Sequence, residues 1–234
     1  MTVAATVAPP GVLPGTANVI AVGVLLLEFG MFRQALLRDQ VRLYAAQSAL
    51  ISVLALVVAV ARHLPDLYVL AGLSFALKVV IVPLVLRRLL RGLGERGEGP
   101  GWTDIAGSGS LSLASTVLLA IGVAAFGVFS VAALGLRSPV LPGTALAISM
   151  AVVLVSFVLM IMRRDVASQA IGFFSLENGV SLTSLVVAAG LPLILEVVFL
   201  FDLLVAALVF GLLIRVHHGR VDSLSTAELT SLRG

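Results

Sequence analysis

Long apolar runs recur along this chain, and they restrict its fold more than any other feature of the sequence. Several runs reach about 20 residues, the length that a helix needs to cross the roughly 30 Å hydrocarbon core of a bilayer. Hydrophobic residues make up 60% of the 234 residues and charged residues only 12%, whereas a soluble domain carries about 25% charged residues. The chain lacks the polar surface of a soluble globule, and we expect an integral membrane protein.

The length and pattern of the runs predict the fold class. Backbone polar groups in lipid must bond to one another, which leaves helices or closed barrels. Barrel strands are about ten residues long with strict alternation, and these runs are longer and do not alternate. We therefore predict an all-α, polytopic membrane helix bundle with about seven transmembrane helices. The predicted spans are about 12–32, 41–61, 67–86, 111–134, 141–162, 166–188 and 191–214.

The distribution of basic residues predicts the topology. Seven crossings put twelve arginines on one side of the membrane and only Arg62 and Arg137 on the other. The rich side is expected to be cytoplasmic, so the N-terminus lies outside and the C-terminus inside. The arginines of the rich side are Arg33, Arg38, Arg42, Arg87, Arg88, Arg91, Arg96, Arg163, Arg164, Arg215, Arg220 and Arg233.

A polar stretch divides the chain into two membrane parts. Residues 91–110 contain seven glycines and are predicted to form a flexible cytoplasmic loop. Residues 1–90 precede it as a three-helix part, and residues 111–220 follow it as a four-helix part. Residues 221–234 are predicted to be a cytoplasmic tail.

Four ionisable residues lie deep within the predicted spans, away from their cytoplasmic ends. Lys78, Glu177 and Asp202 lie near the middle of spans three, six and seven, and Glu196 lies between the outer face and the middle of span seven. A charge at the bilayer centre costs about 2.5 to more than 10 kcal/mol, so such residues face the bundle interior, pair with one another or line water. We predict that these four residues form a proton or ion path.

Lys78 is the only lysine in the chain, against fourteen arginines. A buried ammonium can release its proton, whereas a guanidinium cannot. A lone lysine in mid-membrane is therefore typical of a proton relay. The alternative is a structural salt bridge to Glu177 or Asp202 that fixes the order of the helices.

The remaining polar residues of the spans have simpler expected roles. Asn178, Gln47 and Gln169 are predicted to form hydrogen bonds between helices. Glu28 lies close to the cytoplasmic end of span one with Arg33 near by, and it is expected to lie at the membrane interface. The chain has no cysteine, which excludes thiolate-held iron–sulfur clusters and cysteine-ligated zinc.

The last three spans resemble a known three-helix membrane subunit. Residues 141–216 are similar to the K subunit of respiratory complex I and to the C subunit of multisubunit cation/proton antiporters. Counted from the arginine pair, Glu177 comes three residues after the family glutamate, Phe174 stands in register with it, and Asp202 replaces a second glutamate. The motifs are Met162-Arg-Arg-Asp165, Ile171-Gly172, Leu176-Glu-Asn-Gly-Val180, Val221-Asp-Ser-Leu224 and the final Arg233-Gly234.

Nearly all of residues 17–234 resemble component E of hydrogenase-4-type complexes, the membrane-bound [NiFe] hydrogenases related to formate hydrogenlyase and complex I. The resemblance implies a membrane-arm subunit beside antiporter-like subunits in a bacterial inner membrane, contributing to a proton or sodium path. It implies that this chain binds no cofactor and that NiFe and iron–sulfur centres lie in partner subunits. The supporting motifs are Val41-Arg-Leu-Tyr-Ala-Ala-Gln-Ser48, Leu77-Lys-Val-Val-Ile-Val-Pro83, Leu176-Glu-Asn-Gly179 and Asp222-Ser-Leu224.

Three other hypotheses fit the same sequence. The chain could be a subunit of a cation/proton antiporter without a redox arm, a free-standing small transporter, or a structural membrane anchor. Partner subunits separate the first from a hydrogenase, and solute transport by the purified chain identifies the second. The third predicts that Glu177→Gln and Lys78→Met leave coupled proton movement intact.

Overall fold

The fold is all-helical in a computed structural model that describes residues 12–34, 36–94, 112–136, 141–188, 200–202 and 204–213. No strand occurs within these ranges. The helices are α1 (Val12–Arg33), α2 (Leu37–Arg62), α3 (Pro65–Ser74), a π-helical segment (Phe75–Ile81), α4 (Val82–Gly94), α5 (Leu113–Ala133), α6 (Gly143–Met162), α7 (Val166–Ala188) and α8 (Leu200–Leu213).

In the part of the chain that the structure describes, six helices are long and apolar enough to cross a membrane. One of them is continuous through α3, the π-helical segment and α4, and its apolar part is Pro65–Arg88. The prediction of a polytopic helical membrane protein is confirmed at this level. For the predicted seventh span, α8 provides a shorter apolar helix, while residues 189–199 lie outside the described residues.

Local signals in the sequence set the helix ends. Pro65 opens α3, where its missing N–H costs no hydrogen bond. Ser112 caps α5 by accepting from the Ser115 backbone N–H, and Asp165 precedes α7 and accepts from the Ser168 N–H at 2.6 Å. The C-cap of α2 is His63 in the left-handed conformation, with φ of 54°.

The predicted loop at 91–110 begins too early. Helix α4 continues four residues into it and ends at Gly94. Leucine and arginine have high helix propensity and dominate residues 84–91, whereas glycine is a common helix terminator. Residues 95–111 and the predicted tail at 221–234 lie outside the described residues.

Helices α6 and α7 pack closely because glycines line their interface. A Cβ atom at Gly179 would stand 2.8 Å from Val153 Cγ2 and 3.0 Å from its backbone nitrogen, and one at Gly172 would stand 2.8 Å from Met160 Cγ. A Cβ atom at Gly127 of α5 would likewise stand 3.1 Å from the backbone of Ala151 on α6. Small residues allow membrane helices to approach closely enough for van der Waals packing.

Two sets of contacts show which helix ends share a side of the bundle. The Arg163 guanidinium, between α6 and α7, donates to the carbonyls of Met31, Phe32 and Gln34 at 2.9–3.2 Å. At the other end of the same helices, the Thr144 hydroxyl donates to Asn18 Oδ1 at 2.7 Å. The link after α1 and the link after α6 therefore lie together, as the arginine distribution predicts.

Candidate functional site

A buried ion pair joins the third span to α7. Lys78 Nζ lies 2.8 Å from Glu177 Oε2 and donates to Ser181 Oγ, also at 2.8 Å. The Lys78 side chain is 1% exposed and the Glu177 side chain 13%. Of the two acids that the sequence left open as partners, the structure brings Glu177 to Lys78. The hydroxyl of Ser181 lies one turn beyond Glu177 on the same face of α7.

Lys78 lies in the middle of the π-helical segment Phe75–Ile81. Pro83 follows two residues after this segment, and a proline lacks an N–H and clashes with the carbonyl four residues before it. The wider turn moves that carbonyl, and the Val82 N–H bonds to the Leu77 carbonyl five residues back. Single π-helical turns within α-helices are rare and are frequent at functional sites.

A small cavity adjoins the pair. Its volume is about 30 Å³, enough for one or two water molecules, since one water needs at least about 10–15 Å³. Ser184 Oγ is buried at its wall and has no hydrogen-bond partner among the described residues. The polar part of the lining consists of Ser74, Lys78, Glu177, Ser181 and Ser184.

A second carboxyl is buried between four helices. Glu28 on α1 is 0% exposed, so its expected interfacial position is wrong. Its Oε2 atom accepts from Gln47 Nε2 at 2.7 Å and contacts the Ser175 hydroxyl, and its Oε1 atom accepts from the Ser156 hydroxyl at 3.0 Å. Helix α1 continues to Arg33, which leaves Glu28 more than one turn inside the helix and facing α2, α6 and α7.

Polar contacts extend from Glu28 along the interface of α2 and α7. Gln47 Oε1 accepts from Ser175 Oγ at 2.9 Å and from Asn178 Nδ2 at 3.0 Å. Asn178 Nδ2 also donates to Ser48 Oγ at 2.8 Å. Gln47 and Asn178 thus form the contacts between helices that the sequence led us to expect. In the sequence, polar residues at mid-helix positions of α2 and α7 have no obvious partner. They are the signal in the sequence that a buried acid lies near by.

The other predicted site residues lie elsewhere. Gln169 Nε2 donates to the Arg163 carbonyl at 2.9 Å, so it binds the link between α6 and α7 rather than another helix. Asp202 is exposed on α8 and is not brought to Lys78. Glu196 lies outside the described residues. Phe174, in register with the family glutamate, is fully buried against Tyr44 and Phe210.

A third set of polar side chains lies at the arginine-rich end of the bundle. The Ser168 hydroxyl donates to Gln40 Oε1 at 3.0 Å, and Gln40 Nε2 donates to the Gln34 carbonyl at 3.0 Å. Partial burial lowers the pKa of the Arg163 guanidinium from its ordinary value, and the Asp165 carboxylate opposes this shift. Arg163 nevertheless keeps its charge, because a guanidinium is not deprotonated in proteins.

Two sets of polar side chains stand out among the described residues, and neither is a cluster of metal-ligand type. Within those residues, no group of three or more histidine, cysteine and acidic side chains could hold a metal ion. The Glu28 site combines a carboxyl with an amide and two hydroxyls, and the Glu177 site combines a carboxyl with an ammonium and a hydroxyl. Both sets suit hydrogen bonding and proton transfer.

The chain is similar in sequence to a mycobacterial protein. No protein-family model matches the chain, and no solved structure matches it. The chain is 29% identical over 185 residues to the uncharacterized protein Rv0085 of Mycobacterium tuberculosis (strain ATCC 25618 / H37Rv). The alignment covers 76% of this chain and 77% of that protein, so the similarity extends over most of the membrane bundle.

Proposed function

We propose that this chain is a membrane-arm subunit of a hydrogenase-4-like, complex I-related [NiFe] hydrogenase, where it contributes to a proton or sodium path coupled to redox chemistry in other subunits. The observation that carries the proposal is the buried pair of Lys78 and Glu177. The family named in this proposal comes from the resemblance of the sequence. The ion pair provides two groups suited to moving a proton within a membrane.

The two groups of the pair are in direct contact. Lys78 Nζ and Glu177 Oε2 lie 2.8 Å apart, within the reach that direct proton transfer requires. The Ser181 hydroxyl and the water-sized cavity give a proton a route to and from the pair. A change in hydration or in a neighbouring charge would then move the proton.

The exposed Asp202 supports a subunit rather than a free-standing protein. The sequence places Asp202 near the middle of a span, and its side chain is exposed on α8. A carboxylate facing lipid at that depth is costly, and contact with a partner subunit would remove the cost. We assign this face to the antiporter-like subunits and Glu196 to an outer branch of the path.

The proposal includes the setting of the chain. It belongs in a bacterial inner membrane, with its N-terminus outside and its C-terminus in the cytoplasm. Nickel–iron and iron–sulfur centres would be held by partner subunits, because this chain has no cysteine to ligate them.

Co-purification tests the subunit assignment. The tagged protein is extracted from its native membrane in mild detergent, and its companions are identified by mass spectrometry. We expect antiporter-like subunits together with a cysteine-rich subunit of [NiFe] type. Antiporter subunits without any cluster protein would instead assign the chain to a cation/proton antiporter, and reproducible recovery of the chain alone would contradict both assignments.

A matched pair of variants tests the role of the ion pair. Glu177→Gln in the assembled complex should abolish redox-coupled proton uptake into membrane vesicles while leaving the hydrogenase chemistry of the partner subunits in place. Asp66→Asn, which changes an exposed acid at the start of α3, should behave as wild type. Unchanged coupling in both Glu177→Gln and Lys78→Met, with normal assembly, would reduce the chain to a structural anchor.

A further inference from the structure

If Glu28 is ionised, the side chains around it carry too few hydrogen atoms to place one in every polar contact. Ser175 Oγ carries one hydrogen, yet it contacts two acceptors, Glu28 Oε2 and Gln47 Oε1. If Glu28 is ionised, one of these contacts brings two oxygen atoms together with no hydrogen between them. If Glu28 is protonated, its hydroxyl donates to Ser175 and Ser175 donates to Gln47, so both contacts are satisfied.

The orientation of the Gln47 amide is fixed by its surroundings. Its Nε2 atom lies between two acceptors, Glu28 Oε2 at 2.7 Å and the Val24 carbonyl at 3.4 Å, while its Oε1 atom accepts from Asn178 Nδ2. The opposite orientation would turn the amide oxygen toward both acceptors and the amide nitrogen toward the Asn178 donor. Reversing the Asn178 amide as well, whose Oδ1 has no partner among the described residues, would still leave the Gln47 oxygen beside Glu28 Oε2 with no hydrogen between them. Gln47 therefore cannot supply the missing hydrogen to Ser175 while Glu28 is ionised.

No cation balances a charge on Glu28 within the described residues. Its partners there are one amide and two hydroxyls. Helices α5 and α6, which pack against α1, contain no ionisable side chain. On α7, Glu177 is paired with Lys78, and α2 contributes Tyr44 at the level of the bundle core. The charged side chains of α2 lie at its two ends, and Arg163 binds carbonyls at the end of α1.

We propose that Glu28 is a proton-binding site of the membrane bundle and that its carboxyl holds a proton at neutral pH. Release leaves a carboxylate, to which Ser175 then donates after turning its hydroxyl from Gln47, and uptake reverses this turn. The ligand is a proton rather than a metal cation, because the Gln47 N–H points at the carboxyl where a cation would need an oxygen. The inference concerns the isolated chain and does not rest on the proposed hydrogenase function.

Infrared spectroscopy tests this directly, because the carbonyl stretch of a protonated carboxylic acid is separate from the bands of a carboxylate. The full chain is purified in a maltoside detergent, which has no carbonyl group of its own, and titrated from about pH 5 to about pH 10. We expect a protonated-acid band at neutral pH that is absent in Glu28→Gln. The same band should remain in Glu177→Gln, the matched control.

Two further measurements keep the test decisive if Glu28→Gln folds poorly. Ser175→Ala should retain the band and shift its frequency, because the acceptor of the Glu28 hydroxyl is removed. In the wild type, exchange into deuterated buffer should also shift it. Absence of a protonated-acid band in the wild type at neutral pH would overturn the proposal, as would loss of the band on addition of sodium chloride at constant ionic strength, which would identify a sodium site.

Discussion

Two carboxyls that face the interior of the bundle, those of Glu177 and Glu28, differ in their partners. Glu177 has a cation, Lys78 Nζ at 2.8 Å, whereas Glu28 is surrounded by an amide and two hydroxyls. They project from different helices, and the groups that bind them lie on different faces of α7: Ser181 serves Glu177 and Ser175 serves Glu28. The comparison shows that the partners of a buried glutamate decide which form of its carboxyl is stabilised. A cation stabilises the ionised form strongly, whereas neutral donors do not.

Breaking the ion pair should give the largest effect. Lys78→Met leaves Glu177 uncompensated in the bundle, and loss of one partner of a buried pair costs about 3–5 kcal/mol. The free energy of unfolding, measured by circular dichroism during titration with a denaturing detergent, should fall by that amount. The double variant Lys78→Met/Glu177→Gln should recover most of the loss. A double variant as unstable as Lys78→Met would show that the lysine stem, rather than its charge, stabilises the bundle.

Separating α6 from α7 should affect the Glu28 site and spare the ion pair. Gly179→Ala places a methyl group 2.8 Å from Val153 Cγ2, and overpacking of this kind costs about 1–3 kcal/mol. Ser156 of α6 and Ser175 of α7 both bind Glu28, so the infrared band of Glu28 should shift. Gly122→Ala on α5, which meets nothing within 4 Å, is the control and should change neither quantity.

Removing the Arg163 contacts at the end of α1 tests the comparison between the two carboxyls through the helix that carries Glu28. Arg163→Ala removes the donor to three carbonyls after Glu28 in the chain, and we expect a loss of about 1–3 kcal/mol in the free energy of unfolding. An exposed arginine at the same end of α1 provides a control, because Arg33→Ala should stay within about 0.5 kcal/mol of wild type. Equal losses in both variants would show that positive charge, and not the Arg163 contacts, matters at this end.

Neutral replacement of Glu28 should have the smallest effect. A glutamine has nearly the shape of a protonated glutamate, so Glu28→Gln should cost no more than about 1 kcal/mol, the worth of one neutral hydrogen bond. Glu177→Gln should cost several times more, because it strands the Lys78 ammonium. The two variants are compared by the same detergent titration. A Glu28→Gln loss as large as that of Glu177→Gln would indicate that Glu28 is ionised in the folded protein.

The sequence predicts the helical membrane fold that the structure shows, because apolar length depends on one segment at a time. It could not predict the partners across helices, since these depend on helix rotation. Lys78 and Glu177 were placed at similar depth, and their contact needed the structure. Glu28 was misplaced because Arg33 near by suggested an interface, although helix α1 turns Glu28 inward. Asp202 has a similar predicted depth and is exposed.

The π-helical segment at Phe75–Ile81 has a consequence for the rotation of the third span. A π-turn takes up about one residue more than an α-turn, so the helical faces before and after it are offset by about 100°. The segment thus shifts the helical phase between α3 and α4. As a result, both helices can bury a face in the core: Leu67, Leu70 and Ala71 in α3, and Val82 and Leu86 in α4. Deleting one residue within it would restore α-helical phase, and the buried faces of α3 and α4 would no longer point into the same bundle.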